Sequence, residues 1–183
     1  MNKLKRIPTE VDFLKREFRS GEKGRMDKAA NRLADIGGEQ VIEFFISNVE
    51  TADCDSWARD ASALALAKMK AHNVVDRMLA VIWRPENVQA AGTLVYALRE
   101  MNCSTHFTDM FRIVFTYGFE AAVHAFGILN DQHFSFNQDD LREVQQMWDE
   151  CCDHPENSPA FEDLEDEIRF VVDNYLCYLE SLN

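Results

Sequence analysis

Helix breakers are scarce in this chain. Seven glycines and four prolines in 183 residues suit long helices joined by short turns. No stretch approaches the roughly 18 uninterrupted apolar residues of a membrane-spanning helix, which excludes one. The basic start, Met1-Asn2-Lys3-Leu4-Lys5-Arg6, has no apolar run behind it. No secretory signal is expected from this start, and the cytoplasm is the expected compartment. Cysteine is sparse and odd in number: Cys54, Cys103, Cys151, Cys152 and Cys177. Such residues behave as small buried hydrophobes, and reduced thiols are expected rather than a disulfide framework. No nucleophile elbow, phosphate-binding loop or H-E-x-x-H motif occurs. An enzyme would have to work with carboxylates alone, and nothing here sets their separation or supplies a cleft. The expectation is a non-catalytic protein without cofactor or metal.

Positive charge is missing from one place in particular. Residues 1–25 carry eight Lys/Arg against four Asp/Glu, and residues 26–130 carry nine against 13. Residues 131–183 carry two, Arg142 and Arg169, against 15, so this last third alone accounts for a charge of −13. A binder of the phosphate backbone needs Lys/Arg to displace counterions, so nucleic acid is a poor partner for this surface. A basic protein, steered by the field, is a good one.

What is present is an internal repeat of about 33 residues. Val41, Val74 and Phe107 step by 33; so do Phe45, Met78, Phe111, and Val49, Ile82, Phe115. A polar ladder with the same step, Glu43, Asp76 and Asp109, runs beside them. Periods of this size mean stacked helix pairs, each burying its apolar face against its neighbours. The first helices of the second and third units match at a step of 32 (Ala65 to Ala97, Leu66 to Leu98, Met69 to Met101), and the turn that follows absorbs the difference.

Read along the chain, the pattern predicts an opening helix over 9–18, capped by Thr9 with Asp12 three residues on. Four helix pairs follow, over about 26–50, 55–84, 86–117 and 118–153. Gly37-Gly38 ends the first helix of unit one, since glycine tolerates the left-handed turn. Pro85-Glu86-Asn87 opens a long helix running to Met101. Asn137 caps a helix with Leu141, Val144, Trp148 and Cys151 inward. A last helix over about 159–181 carries a heptad seam: Phe161, Leu164, Ile168, Val171, Tyr175, Tyr178 and Leu182. It is expected to cap the stack, and the same seam could pair two copies as a homodimer.

Pro85-Glu86-Asn87-Val88-Gln89-Ala90-Ala91, running on to Ala97-Leu98, resembles the first helix of a HEAT repeat of the short, lyase-associated kind. So does the segment from Trp57-Ala58-Arg59-Asp60 to Leu66. The resemblance covers residues 26–130 and decays in the fourth unit, where the turn expands. It implies an all-α, right-handed α-solenoid of about four antiparallel helix pairs in a single domain, 1–183, with an N-terminal helix and a C-terminal capping helix. It also implies that the second helices line a concave face. In that family this face commonly binds proteins, and some members bind nucleic acid or assist cofactor attachment.

Two candidate sites follow. On the second helices, Glu43, Asp76 and Asp109, flanked by Arg77 and Arg112, would form a binding stripe on the concave face. At the acidic end, the run containing Glu162, Asp163 and Asp166 exceeds what a helix dipole can use, which suggests a partner surface. The run lacks the glycine and alternating oxygen ligands of a calcium-binding loop. Cys151-Cys152-Asp153-His154 has poor spacing for zinc. Trp83, at a helix end, could anchor an interface. These features favour a protein-binding module, in its sharpest form an inhibitor or immunity-type protein that neutralises a basic enzyme such as a nuclease. The alternatives are a helical-repeat nucleic-acid enzyme of the glycosylase type and a cofactor-attachment helper.

Overall fold

A computed structural model of the chain describes residues 9–51 and 56–180. Among these residues all regular structure is helical: ten α-helices and three one-turn 3₁₀ segments. The chain groups into two compact units, Met1–Met78 and Leu79–Asn183.

The first unit holds α1 (Glu10–Phe18), α2 (Lys23–Ile36), α3 (Glu39–Glu50) and α4 (Ser56–Lys68). Thr9 caps α1 as its sequence predicts. Its hydroxyl accepts from the Asp12 amide, and the Asp12 carboxylate accepts from the Thr9 amide at 2.9 Å. Helix α2 starts at Lys23, ahead of the predicted 26, because the Glu22 carboxylate accepts from the Gly24 amide at 3.1 Å and caps the helix early. Gly37 and Gly38, at φ of 68° and 90°, end it. Helix α1 packs on α2, α2 on α4, and α3 on α4. The Phe18 ring meets Phe44 and Phe45 edge-on at 5.5 and 5.6 Å, and Lys15 and Arg19 lie over the Phe44 ring. The boundary between the units falls within α5 (Val75–Ile82).

The second unit holds α6 (Gly92–Leu98), α7 (Phe107–Thr116), α8 (Phe119–Asp131), α9 (Gln138–Asp153) and α10 (Phe161–Glu180). Helix α7 packs on α8 and α9, α6 on α8, and α10 on both α8 and α9. Contacts between elements two apart are what a stack of helix pairs requires.

The predicted long helix over 85–101 is not formed as one piece. A 3₁₀ turn at Pro85–Asn87 precedes a bend, and α6 is only Gly92–Leu98. The cause is Asn87. Its side chain is buried and donates to the Val81 carbonyl at 2.8 Å. Local side-chain hydrogen bonds of this kind compete with helix formation. The same Asn87 and the buried Tyr117 serve the end of α5, with the Tyr117 hydroxyl donating to the Ile82 carbonyl at 2.6 Å. Gln132 does comparable work after α6. Its carbonyl oxygen accepts from the Cys103 amide at 2.9 Å, while its amide donates to the Met101 carbonyl at 2.9 Å. The second helix of this pair starts at Phe107, after an Asn102 side chain that accepts from the Ser104 amide at 3.0 Å. The final helix departs from helical geometry at Leu164, where φ is −128° and ψ is 15°.

All nine residues of the apolar ladder are buried, from Val41 to Phe115. The third rung feeds an aromatic layer. Phe107 stacks on Phe136 at 4.7 Å and meets Tyr175 at 4.9 Å, Phe111 meets Tyr175 at 5.7 Å, and Phe115 meets Trp148 at 6.2 Å. Phe111 is fully buried here. Truncation to alanine leaves a cavity that rigid neighbours cannot fill, so Phe111→Ala is expected to lower unfolding free energy by about 3–5 kcal/mol in urea titrations. A loss below about 1 kcal/mol would mean the layer is loosely packed.

Candidate protein-binding surface

The acidic face is built from the caps inward. Asn137 starts α9 with a reciprocal capping box. Its side chain accepts from the Asp139 and Asp140 amides, and the Asp140 carboxylate accepts from the Asn137 amide at 2.7 Å. Leu141, Val144, Trp148 and Cys151 are buried, as the sequence predicts. On α10 the seam is used within the chain. Ile168 and Val171 are buried, and the Tyr175 hydroxyl donates to the Leu129 carbonyl at 3.0 Å. Tyr178 is exposed, and Leu182 lies outside the described residues. With the apolar stripes turned inward, the charged positions face solvent, Glu162, Asp163 and Asp166 among them.

The two bases of this region are already engaged. Arg142 donates to Asp139 at 2.8 Å, one turn away on the same helix. Arg169 donates to Glu165 at 3.0 Å and covers the Trp148 ring at 5.3 Å. Over the whole second unit, five Lys/Arg face 19 Asp/Glu, a formal charge of −14; the first unit has 14 against 13. The charge asymmetry of the sequence is therefore an asymmetry between the units. Such a field acts over roughly a Debye length of 8 Å at physiological salt.

The predicted stripe is divided between the units. Glu43, Asp76 and Arg77 lie in the first, Asp109 and Arg112 in the second. Asp76 is exposed in the first turn of α5. Arg77 is held between two carboxylates, donating to Glu50 at 2.6 and 2.7 Å and to Glu43 at 2.7 and 3.1 Å. The hydrogen bonds it donates to Glu50 and then to Glu43 push its basicity up, and the Arg77 guanidinium holds the Glu43 carboxyl below its usual range. In the second unit, Arg112 donates to Glu143 at 2.6 Å, lies 3.5 Å from Asp109, and covers the Trp83 ring at 5.5 Å. Asp109 also meets the His106 ring at 3.2 Å. Both arginines thus tie neighbouring second helices together, α3 to α5 and α7 to α9. The sequence reading missed Glu50 and Glu143, although each sits close to one repeat from its arginine. Trp83 is half-buried against Tyr117 and Arg112.

Around Cys151 the chain forms a pocket of about 120 Å³, lined by residues of the α7 end, the α9 end and the turn after it. Cys151 is buried and Cys152 exposed, so the adjacent thiols do not face one site. Burial pushes the Cys151 thiol up, and it pushes Cys103 up to about 12. Thiols in that state are poor nucleophiles and poor metal ligands. Cys54 lies outside the described residues. Among the described residues, no group of three or more His, Cys, Asp and Glu is arranged to hold a metal, and no helix is long and apolar enough to cross a membrane. Compared with protein-family models, curated proteins and solved structures, the chain gives no match.

The Arg77 network is partly open to solvent, so its contribution is modest and screened. Arg77→Ala is expected to cost about 1 kcal/mol of stability at low salt, with the difference shrinking at high salt. A pH signature accompanies it. The Glu43 carboxyl is held low in the folded state, so its stabilisation is complete above its usual value of 4.5 and lost as pH falls through the folded value. Glu43→Gln should therefore be less stable than the parent at neutral pH, with the gap closing as pH drops below 4.5. Denaturant midpoints across that range measure it, and a gap that stays constant would show that Glu43 and Arg77 do not interact in solution.

Proposed function

We propose that this chain is a non-catalytic, HEAT-like binding protein whose acidic second unit docks a basic protein. The role fits an inhibitor or immunity-type protein that covers a basic enzyme such as a nuclease. The observation that carries this reading is the spending of the local bases inside the unit. Arg142 and Arg169 are each paired to a carboxylate of their own helix, so the outer surfaces of α9 and α10 keep a large excess of negative charge. Two exposed aromatics sit on α10 among these carboxylates: Phe170, 63% exposed, and Tyr178, 52% exposed. A few aromatic anchors inside a polar rim are how protein interfaces divide affinity from specificity. The same field repels phosphates, which weakens the nucleic-acid alternative.

The reading has a direct test. The chain is used as bait at low and at high salt, and a captured basic protein is then measured against the variant Glu162→Gln, Asp163→Asn, Asp166→Asn. The expected result is an association rate lowered on the order of tenfold at low salt, with a flatter salt dependence. Unchanged affinity and salt slope in the neutralised variant would falsify the electrostatic docking.

A further inference from the structure

The pocket beside Cys151 lies where two helices end. Phe115 and Thr116 come from the last turn of α7, and Glu150 and Cys151 from the last turn of α9. The C-terminal end of a helix carries partial negative charge from its terminal carbonyls, and a cation placed there is stabilised. Proteins often supply that cation as Lys or Arg in the last turn, yet neither α7 nor α9 has a basic residue there. The exposed Glu150 carboxylate adds a full negative charge to the same spot. His154 is the only basic side chain in the lining, and its Nδ1 sits 3.4 Å from the Glu156 carboxylate.

The walls add a second requirement. Phe115 and Met147 are apolar. Ser158, only 6% exposed, closes the wall beside the Cys151 thiol, toward which its hydroxyl is set. We propose that this pocket binds an alkyl cation the size of an arginine side chain, its stem on Phe115 and Met147 and its head between the Glu150 carboxylate and the two helix ends. The source is a basic side chain of the docked partner, so the inference rests on the docking reading for its source. The chemistry of the pocket does not.

The test uses the full chain and no partner. n-Propylguanidinium, the arginine side chain without its backbone, is titrated while methyl and amide NMR signals are followed. The neutral isostere n-propylurea is run beside it. Saturable shifts confined to the Met147 methyl and the amides of Thr116, Glu150 and Cys151 are expected for the cation alone. Glu150→Gln, at an exposed position that leaves the fold intact, should weaken binding about tenfold. Asp139→Asn removes the same charge from elsewhere on α9 and should change binding by less than about twofold. Equal binding of propylurea, shifts that never saturate, or equal loss in the two variants would each overturn the pocket. Because this titration needs no partner, its failure leaves the docking surface standing. Unchanged partner affinity in the neutralised triple variant removes the docking surface and leaves the pocket.

Discussion

The second unit depends on one face of α7. Phe107, Phe111 and Phe115 follow each other at helical spacing and present three rings to the elements that come after them in the chain. Phe136, Trp148 and Tyr175 reach that face from the turn before α9, from α9 itself and from α10. Edge and stacked contacts between rings fix angles as well as distances. Once α9 and α10 are seated on those rings, the rotation of each helix is set, and so is the direction of every carboxylate it carries. The acidic surface is a consequence of where the aromatics point.

This arrangement also shows how the unit tolerates its own charge. Nineteen acidic residues against five basic ones is a self-repelling surface. Repulsion of that kind destabilises a compact state. The burial of whole aromatic side chains beneath α9 and α10 opposes it. Arg112 is placed where one guanidinium serves two helices and covers a ring, through Glu143 and Trp83, and Arg169 covers the ring of Trp148. The unit keeps its excess negative charge outside and spends its few cations on cohesion.

Much of the fold was legible in the sequence, and the reason is periodicity. The 33-residue ladder marks residues that must be buried, and Val41, Met78 and Phe115 are. The caps at Thr9 and Asn137 were legible because a capping side chain lies within three residues of what it caps. The failures share an opposite cause. Asn87 breaks a predicted helix through a bond to Val81, and Gln132 holds a stretch 29 residues before it through Cys103. The first partner lies six residues back in the preceding helix and the second 29 residues back, and helical periodicity encodes neither. The stripe shows the same limit at the site. Spacing located Glu43, Arg77, Asp109 and Arg112. That Arg77 is saturated by Glu43 and Glu50 depends on side-chain reach across helices, which a one-dimensional pattern does not contain. The exposure of Glu162, Asp163 and Asp166 was legible, because the seam residues beside them identify the opposite face.

The Gln132 staple has a kinetic corollary. The stretch from Arg99 to His106 has little regular structure, yet its backbone is held by a side chain at the end of α8. Inside that stretch sits Cys103, completely buried and with its thiol raised to about 12. An alkylating reagent can reach this sulfur only during moments when the staple has released. Cys152 and Cys177, exposed in the folded chain, are modified without such an event. The protein thus carries its own clock: exposed thiols that record reagent, and Cys103, which records opening of the stretch that Gln132 holds.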